Sequence, residues 1–291
     1  MMNLQEEERQ TVGRYLDPTN DLAFKKVFGT EEHKPSLISF LNAMLSLPEG
    51  KKIYEVEFLT KEQIPLRSDG KFAVLDVRCT DQKGHQYIIE MQSRLEKHFT
   101  KRCQYYAAHS YVSQAYKGKE FSDLKPVIFL AIVNHMLFPD DDKSVISCHH
   151  TLDVKTHKHR LQDVCYYFIE LPKFDKTANQ LASVQDQWIY FFKNWKDSIA
   201  VPPSVQDKAV IEAYHAIERF NWSRAELDEY VKTAMSRTSY EETLKDERNE
   251  GIQEGLQKGK LGIAKTLLDL NYPLNEIIKI TGLSMDQLQE I

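Results

Sequence analysis

Apolar positions recur at helical spacing near the start of the chain. Leu22, Phe24, Val27 and Phe28 follow Pro18 and a capping Asn20 and stop at Gly29, which predicts a short amphipathic helix over residues 20–29. Leu37, Ile38, Leu41 and Leu45 predict a second helix over 35–47, with Pro35 in its first turn and Pro48 after its end. The pattern then becomes short runs of Val, Ile, Tyr and Phe. Residues 54–59, 72–79 and 86–92 read as strands, and DQKGH between the last two reads as a hairpin turn. A long helix follows over 97–116, then a buried strand over 125–135 and another over 163–171. From residue 184 only helices are expected: 185–195, 204–220 and a charged helix from 223 to about 271. The chain ends in PLNEIIKITGLSMDQLQEI, two short helices joined at Gly282 with Ser284 as a cap. This order predicts a mixed sheet flanked by helices, an α/β architecture, with an all-α C-terminal region. We divide it as 1–183, 184–240 and 241–291.

Composition narrows the function classes. A chain of 291 residues with 42% hydrophobic content can bury a full core, and its 14 Phe and 14 Tyr exclude a disordered reading. Cys79, Cys103, Cys148 and Cys165 have no zinc-finger or redox spacing and read as reduced thiols. The acidic, polar N-terminus and the lack of any run of 18 apolar residues lead us to expect a soluble, cytoplasmic protein without a membrane segment. The net charge of −5 argues against a protein that coats nucleic acid by charge alone. That acidity is concentrated at the end, where Glu241 to Ile291 holds six basic and ten acidic residues. In the same segment Gly251, Gly255 and Gly259 fall every four residues. Each glycine costs a helix about 1 kcal/mol relative to alanine, a cost that close helix-to-helix approach would offset. We therefore expect residues 241–291 to mediate self-association, as a homo-oligomer, or docking on the core, and to add little direct DNA affinity.

The hairpin carries the candidate chemistry. A three-residue loop centred on Lys83 and ending in Gly84 places Asp76 directly opposite Glu90, with Gln92 on the face of Glu90. Opposed residues have Cβ atoms roughly 4.5–5.5 Å apart, where two carboxylates repel unless a cation lies between them. Mg²⁺ suits such a pair, because it takes one or two carboxylates and completes its shell with water and phosphate; Mn²⁺ or Ca²⁺ are the other hard cations to consider. Val74, Leu75, Val77, Ile88, Ile89 and Met91 surround these polar residues with apolar ones. A half-exposed hairpin that merely carries polar residues on one face accounts for the same spacing. The histidines of CHHTLDVKTHKH (His149, His150, His157 and His159) match no helical ligand pair and read as a solvated connection between strands.

Several stretches together resemble one family: DPTNDLAFKKVFG, AVLDVRCTDQKGHQYIIEMQ, YKGKEFSDLKPVIFLAIVN, FIELPKF, and the C-terminal glycine repeat with ITGLS. The chain resembles the Rpn family of recombination-promoting nucleases, also labelled transposases, within the PD-(D/E)XK superfamily. The resemblance implies a restriction-endonuclease-like core and a metal-dependent DNA endonuclease, with DNA as substrate and 3′-hydroxyl ends as product. It puts Asp76 and Glu90 in the two acidic positions, with the Met91 carbonyl as a further metal ligand, and Gln92 where the superfamily has Lys. A Lys ammonium stabilises charge developing on phosphate, whereas a Gln amide can only orient water or phosphate. Restoring Lys at 92 is therefore expected to hold or raise activity. Asp21 resembles the acidic residue of the first helix that completes such sites, although an Asp there also complements the helix dipole and can pair with Lys25. Arg102, Gln104 and Tyr105, on the helix after the motif strand, are candidates for backbone phosphate contact. Two other readings remain: a DNA-binding module that reads through its terminal helical hairpin, and an oligomeric interaction protein whose nuclease-like core is weak or inactive.

Overall fold

The computed structural model describes residues 13–63, 73–139 and 143–289. Helix α1 (Asp21–Phe28) opens where the Asn20 side chain accepts the Leu22 N–H, and it closes at Gly29. Helix α2 (Lys34–Met44) carries Pro35 in its first turn, where a missing N–H leaves no bond unmade. The strands β1 (Val56–Phe58), β4 (Val77–Asp81), β5 (Gln86–Gln92), β6 (Val127–Val133), β8 (Leu161–Glu170) and β7 (Ile146–Thr151) form one sheet in that spatial order. A separate pair joins β2 (Glu62–Gln63) to β3 (Ala73–Val74). The central strands β5, β6 and β8 run parallel, and helix α3 (Phe99–Val112) connects β5 to β6. The outer pairings β1 with β4, β4 with β5 and β7 with β8 are antiparallel. This is the expected mixed sheet flanked by helices.

Both faces of the sheet are covered, which is why β6 reads VIFLAIV without a polar interruption. On one face Val77, Ile89, Leu130, Ile132 and Ile169 pack into a core shared with α1, α2, α4 (Val184–Asn194) and α5 (Lys208–Ala216). On the other, Ile88, Phe129, Ala131, Val133 and Phe168 meet Phe99, Cys103 and Ala107 of α3. Within residues 184–240, read from sequence as a helical extension, α4 and α5 pack in the main core. The Phe28 ring is the hub of that core. Its centroid lies 4.9 Å from Phe40, 5.1 Å from Phe24, 5.4 Å from Trp188 and 5.9 Å from Phe192. Phe28→Ala should therefore cost about 3–5 kcal/mol, the range for a large buried aromatic. The check is the urea midpoint of the full chain, and an unchanged midpoint would contradict this packing.

Three local expectations change. The strand expected over 72–79 is broken at Leu75 and Asp76: β3 pairs with β2, and the chain bends at Asp76 before β4 begins. The histidine-bearing segment is not simply a connection, because Ile146–Thr151 forms the edge strand β7 with a register shift after His150. The helix expected over 204–220 is confined to Lys208–Ala216, capped by the Asp207 carboxylate on the N–H groups of Ala209 and Val210.

The chain forms two compact units, Met1–Thr233 and Ala234–Ile291. The range of helix α6 (Arg224–Asp269) spans that boundary. In the second unit, Ala264, Ile277, Leu283 and Leu288 make a small core, with α7 (Leu274–Thr281) and α8 (Met285–Gln289) folded back as the expected helical hairpin. Gly282 ends α7 at a φ of +68°, and its N–H donates to the Ile278 carbonyl. Around Gly251, Gly255 and Gly259 a Cβ would meet nothing within 4 Å. Among the described residues, nothing makes the close helix approach expected at these glycines.

Candidate active site

The hairpin turn sets the geometry. Gln82, Lys83 and Gly84 form the loop, and Gly84 adopts a φ of +80°, which a side chain would strain. The buried Asp81 carboxylate staples this loop by accepting the N–H groups of Lys83 at 2.8 Å and His85 at 3.0 Å and the Tyr87 hydroxyl at 3.0 Å. The ladder then pairs Val77 with Ile89 and Arg78 with Ile88, the register expected from the sequence. One step further, Asp76 meets Glu90 from the bend outside β4. The Asp76 N–H donates to Glu90 Oε1 at 3.2 Å, and Asp76 Oδ2 accepts the Met91 N–H at 2.8 Å.

Helix α1 supplies the next two groups. The Lys25 ammonium lies 2.8 Å from the Asp21 carboxylate and 3.9 Å from Asp76 Oδ1. Asp21 therefore makes the i,i+4 pair anticipated for a helix surface and also acts on Asp76. Sequence reasoning treated Lys25 only as the partner of Asp21, and its approach to Asp76 could not be read from helix spacing.

Glu90 is 7% exposed, although it is a carboxylate in the middle of a hydrophobic layer. Burial, then the charge of Asp76, pushes its pKa up to about 8; the Asp76 N–H and the Arg102 and Lys25 charges oppose this. Burial, then the Asp21 carboxylate, raises Asp76 to about 6, against the Met91 N–H and Lys25. Two desolvated carboxyls that repel each other are the kind of donor pair that a divalent cation would neutralise. Among the described residues no three His, Cys, Asp or Glu side chains are arranged to hold a metal ion by themselves. The protein would thus offer two carboxylates and a strand carbonyl, the sparse set that suits a hard cation keeping its own waters.

Gln92 and Arg102 are brought together, and Gln104 is directed elsewhere. Gln92 Oε1 accepts Arg102 Nη2–H at 2.7 Å, and Gln92 Nε2 donates to the Arg94 carbonyl at 2.7 Å. Arg102 also pairs with Glu96 through Nη1. Gln104 donates weakly to the Thr100 carbonyl at 3.3 Å and lines a pocket with Phe138, His149 and Tyr166. The Tyr105 ring lies against Tyr106 and His109 on the exposed side of α3. Sequence reasoning also missed Glu170. Fully buried at the end of β8, it accepts the Leu137 and Phe138 N–H groups and pairs with Lys173 at 2.6 Å. Those contacts tie down the chain after β6. On the edge strand β7, the His150 ring lies 4.3 Å from that of His159 in the segment between β7 and β8, and Cys148 Sγ lies 2.8 Å from His150 Nε2.

A family model described as PD-(D/E)XK nuclease family transposase matches residues 18–247. The chain belongs to this family. The matched span contains every candidate site residue, from Asp21 to Tyr105, and ends within α6 before the terminal hairpin. Membership in the PD-(D/E)XK nuclease family gives the chain a nuclease- or transposase-related role. No curated protein and no solved structure matches the chain. Among the described residues, no helix is long and apolar enough to cross a membrane.

Proposed function

We propose that this PD-(D/E)XK family member is a Mg²⁺-dependent DNA endonuclease, linked to recombination or mobile elements. The observation that carries the reading is the contact between Asp76 and Glu90: two carboxyls, one half-buried and one buried, held together by backbone N–H donors at the end of a hairpin. A divalent cation bound there would supply Lewis-acid polarisation of the scissile phosphate and offset its charge. The protein's own part is positional. The Met91 N–H fixes one oxygen of Asp76, and the Asp76 N–H fixes one oxygen of Glu90, so both carboxylates are oriented before substrate arrives. The Lys25 side chain lies beside Asp76, where a DNA phosphate would approach. Gln92 retains one amide hydrogen and one lone pair beyond its bonds to Arg94 and Arg102, enough to orient an attacking water. Hydrolysis would form a bond from that water to phosphorus and break the P–O3′ bond, leaving a 3′-hydroxyl and a 5′-phosphate.

The deciding experiment incubates the purified full chain with supercoiled plasmid, with and without Mg²⁺, Mn²⁺ or Ca²⁺. Cation-dependent nicking supports the reading. No nicking under any of them would leave an inactive interaction module as the better account.

The four cysteines are free and three of them are buried, in keeping with a reducing compartment, and we place the protein in the cytoplasm. The tail is the proposed self-association surface. Ile252, Leu256 and Ile263 are exposed beside the open glycines of α6. Leu256→Glu in the full chain should lower the mass measured by light scattering and leave plasmid nicking detectable; an unchanged mass would remove the tail from assembly.

A further inference from the structure

Position 92 lacks the cation that the family name announces, yet a cation stands beside it. Arg102 lies in the first turn of α3, where its N–H donates to the His98 carbonyl at 3.2 Å. Its guanidinium is held on four sides. Nη2 donates to Gln92, Nη1 pairs with Glu96, and the carbon centre lies 5.1 Å from the centroid of Phe99 and 5.9 Å from that of Tyr106. A planar fork fixed in this way has little rotamer entropy left to lose when it meets an anion. Each Nη keeps a second N–H, and Nε is buried without a hydrogen-bond partner. Gln92 stands two residues from Glu90 on β5, so a guanidinium bonded to Gln92 lies on the strand side that carries Glu90.

We propose that Arg102 supplies the phosphate-stabilising charge of this site, and that Gln92 is a positioning residue that holds the guanidinium on the side of β5 that carries Glu90. This rests on the nuclease reading above and deepens it. The Gln is then not a weakened Lys. Its carbonyl oxygen is an acceptor that an ammonium lacks, and an arginine on a neighbouring helix needs that acceptor to stay in place. The sequence expectation for Gln92→Lys is thereby reversed. A Lys there would set its ammonium against Arg102 and remove the Gln92 hydrogen bond that, among the described residues, ties the guanidinium to β5. A role for Arg102 that is solely structural, tying the chain between β5 and α3, predicts a different pattern.

The test compares wild type, Arg102→Gln, Gln92→Lys and the exchanged pair Gln92→Lys/Arg102→Gln, all as the full chain. Single-turnover plasmid cleavage at saturating protein should fall about 100- to 1,000-fold in Arg102→Gln, the loss typical of one transition-state donor. Gln92→Lys alone should also fall, by roughly tenfold or more, whereas the exchanged pair, with one cation again, should recover to within about tenfold of wild type. The second readout needs neither metal nor turnover. The salt dependence of duplex binding without metal should lose about one unit of slope in Arg102→Gln and regain it in the exchanged pair. Wild-type cleavage by Arg102→Gln, gain of activity by Gln92→Lys alone, or an exchanged pair no better than the worse single variant would each overturn the assignment. If wild type does not cleave with any divalent cation, the nuclease reading and this one fall together; if it cleaves while the exchange fails, only this one falls.

Discussion

Asp76→Asn and Glu90→Gln should each lower cation-dependent plasmid cleavage by at least about a thousandfold, the loss expected when a unit of the catalytic machinery is removed. These isosteric changes are sharper tests than alanine. An Asn oxygen can still accept the Met91 N–H, and a Gln oxygen can still accept the Asp76 N–H, so the bend and the strand end keep the bonds that shape them. What disappears is one negative charge from a pair that is buried and mutually repulsive. The same variants should therefore melt at a higher temperature than wild type in chelator at pH 8, while losing their response to Mg²⁺. Activity down and metal-free stability up is a combined signature that simple misfolding cannot produce. Either purified variant nicking plasmid at the wild-type rate would remove that residue from the site.

Much of this site was legible because β-hairpins obey short-range rules. Loop length and one glycine with positive φ fix the register, and register alone places residue 76 against residue 90. The helices α1 and α2 were equally readable from caps and apolar spacing. Less visible was what depends on approach between distant segments. Lys25 reaches Asp76 only because α1 packs on the same core as β4, and Arg102 reaches Gln92 only because α3 turns back over β5. The edge strand β7 was missed for a different reason. Four of its six residues are exposed, so its sequence, ISCHHT, carries no hydrophobic run and little alternation; its ladder bonds to β8 hold it, and those leave no periodic mark. The break at Asp76 was hidden by the strand-forming residues on either side. Only the partner exchange, β3 to β2 and β4 to β5, shows that the carboxylate belongs to a bend.

Stability measured against pH should expose the buried pair directly. The folded protein holds the protons of Asp76 and Glu90 at pKa values of about 6 and about 8, above the ordinary carboxyl values of 3.8 and 4.5. Between the ordinary and the raised values, the folded state binds more protons than the unfolded state, so stability falls as pH rises. Well below pH 4 both carboxyls are neutral in either state and the penalty vanishes; well above pH 8 both are charged and it is complete. Other groups titrate nearby, and burial lowers the pKa of His135, which makes stability rise with pH below its ordinary value of 6.5. The informative quantity is thus the difference between wild type and Glu90→Gln, in which His135 cancels. In chelator, that difference should widen in favour of the variant from about pH 5 to pH 8.5. Mg²⁺ should reverse the trend for wild type, because a bound cation favours the ionised carboxylates and releases their protons, so the rise in melting temperature on adding Mg²⁺ should grow with pH over the same window. A difference curve that stays flat across that window would mean that Glu90 is not held protonated by burial. A Mg²⁺ effect independent of pH would mean that the cation binds somewhere other than this pair.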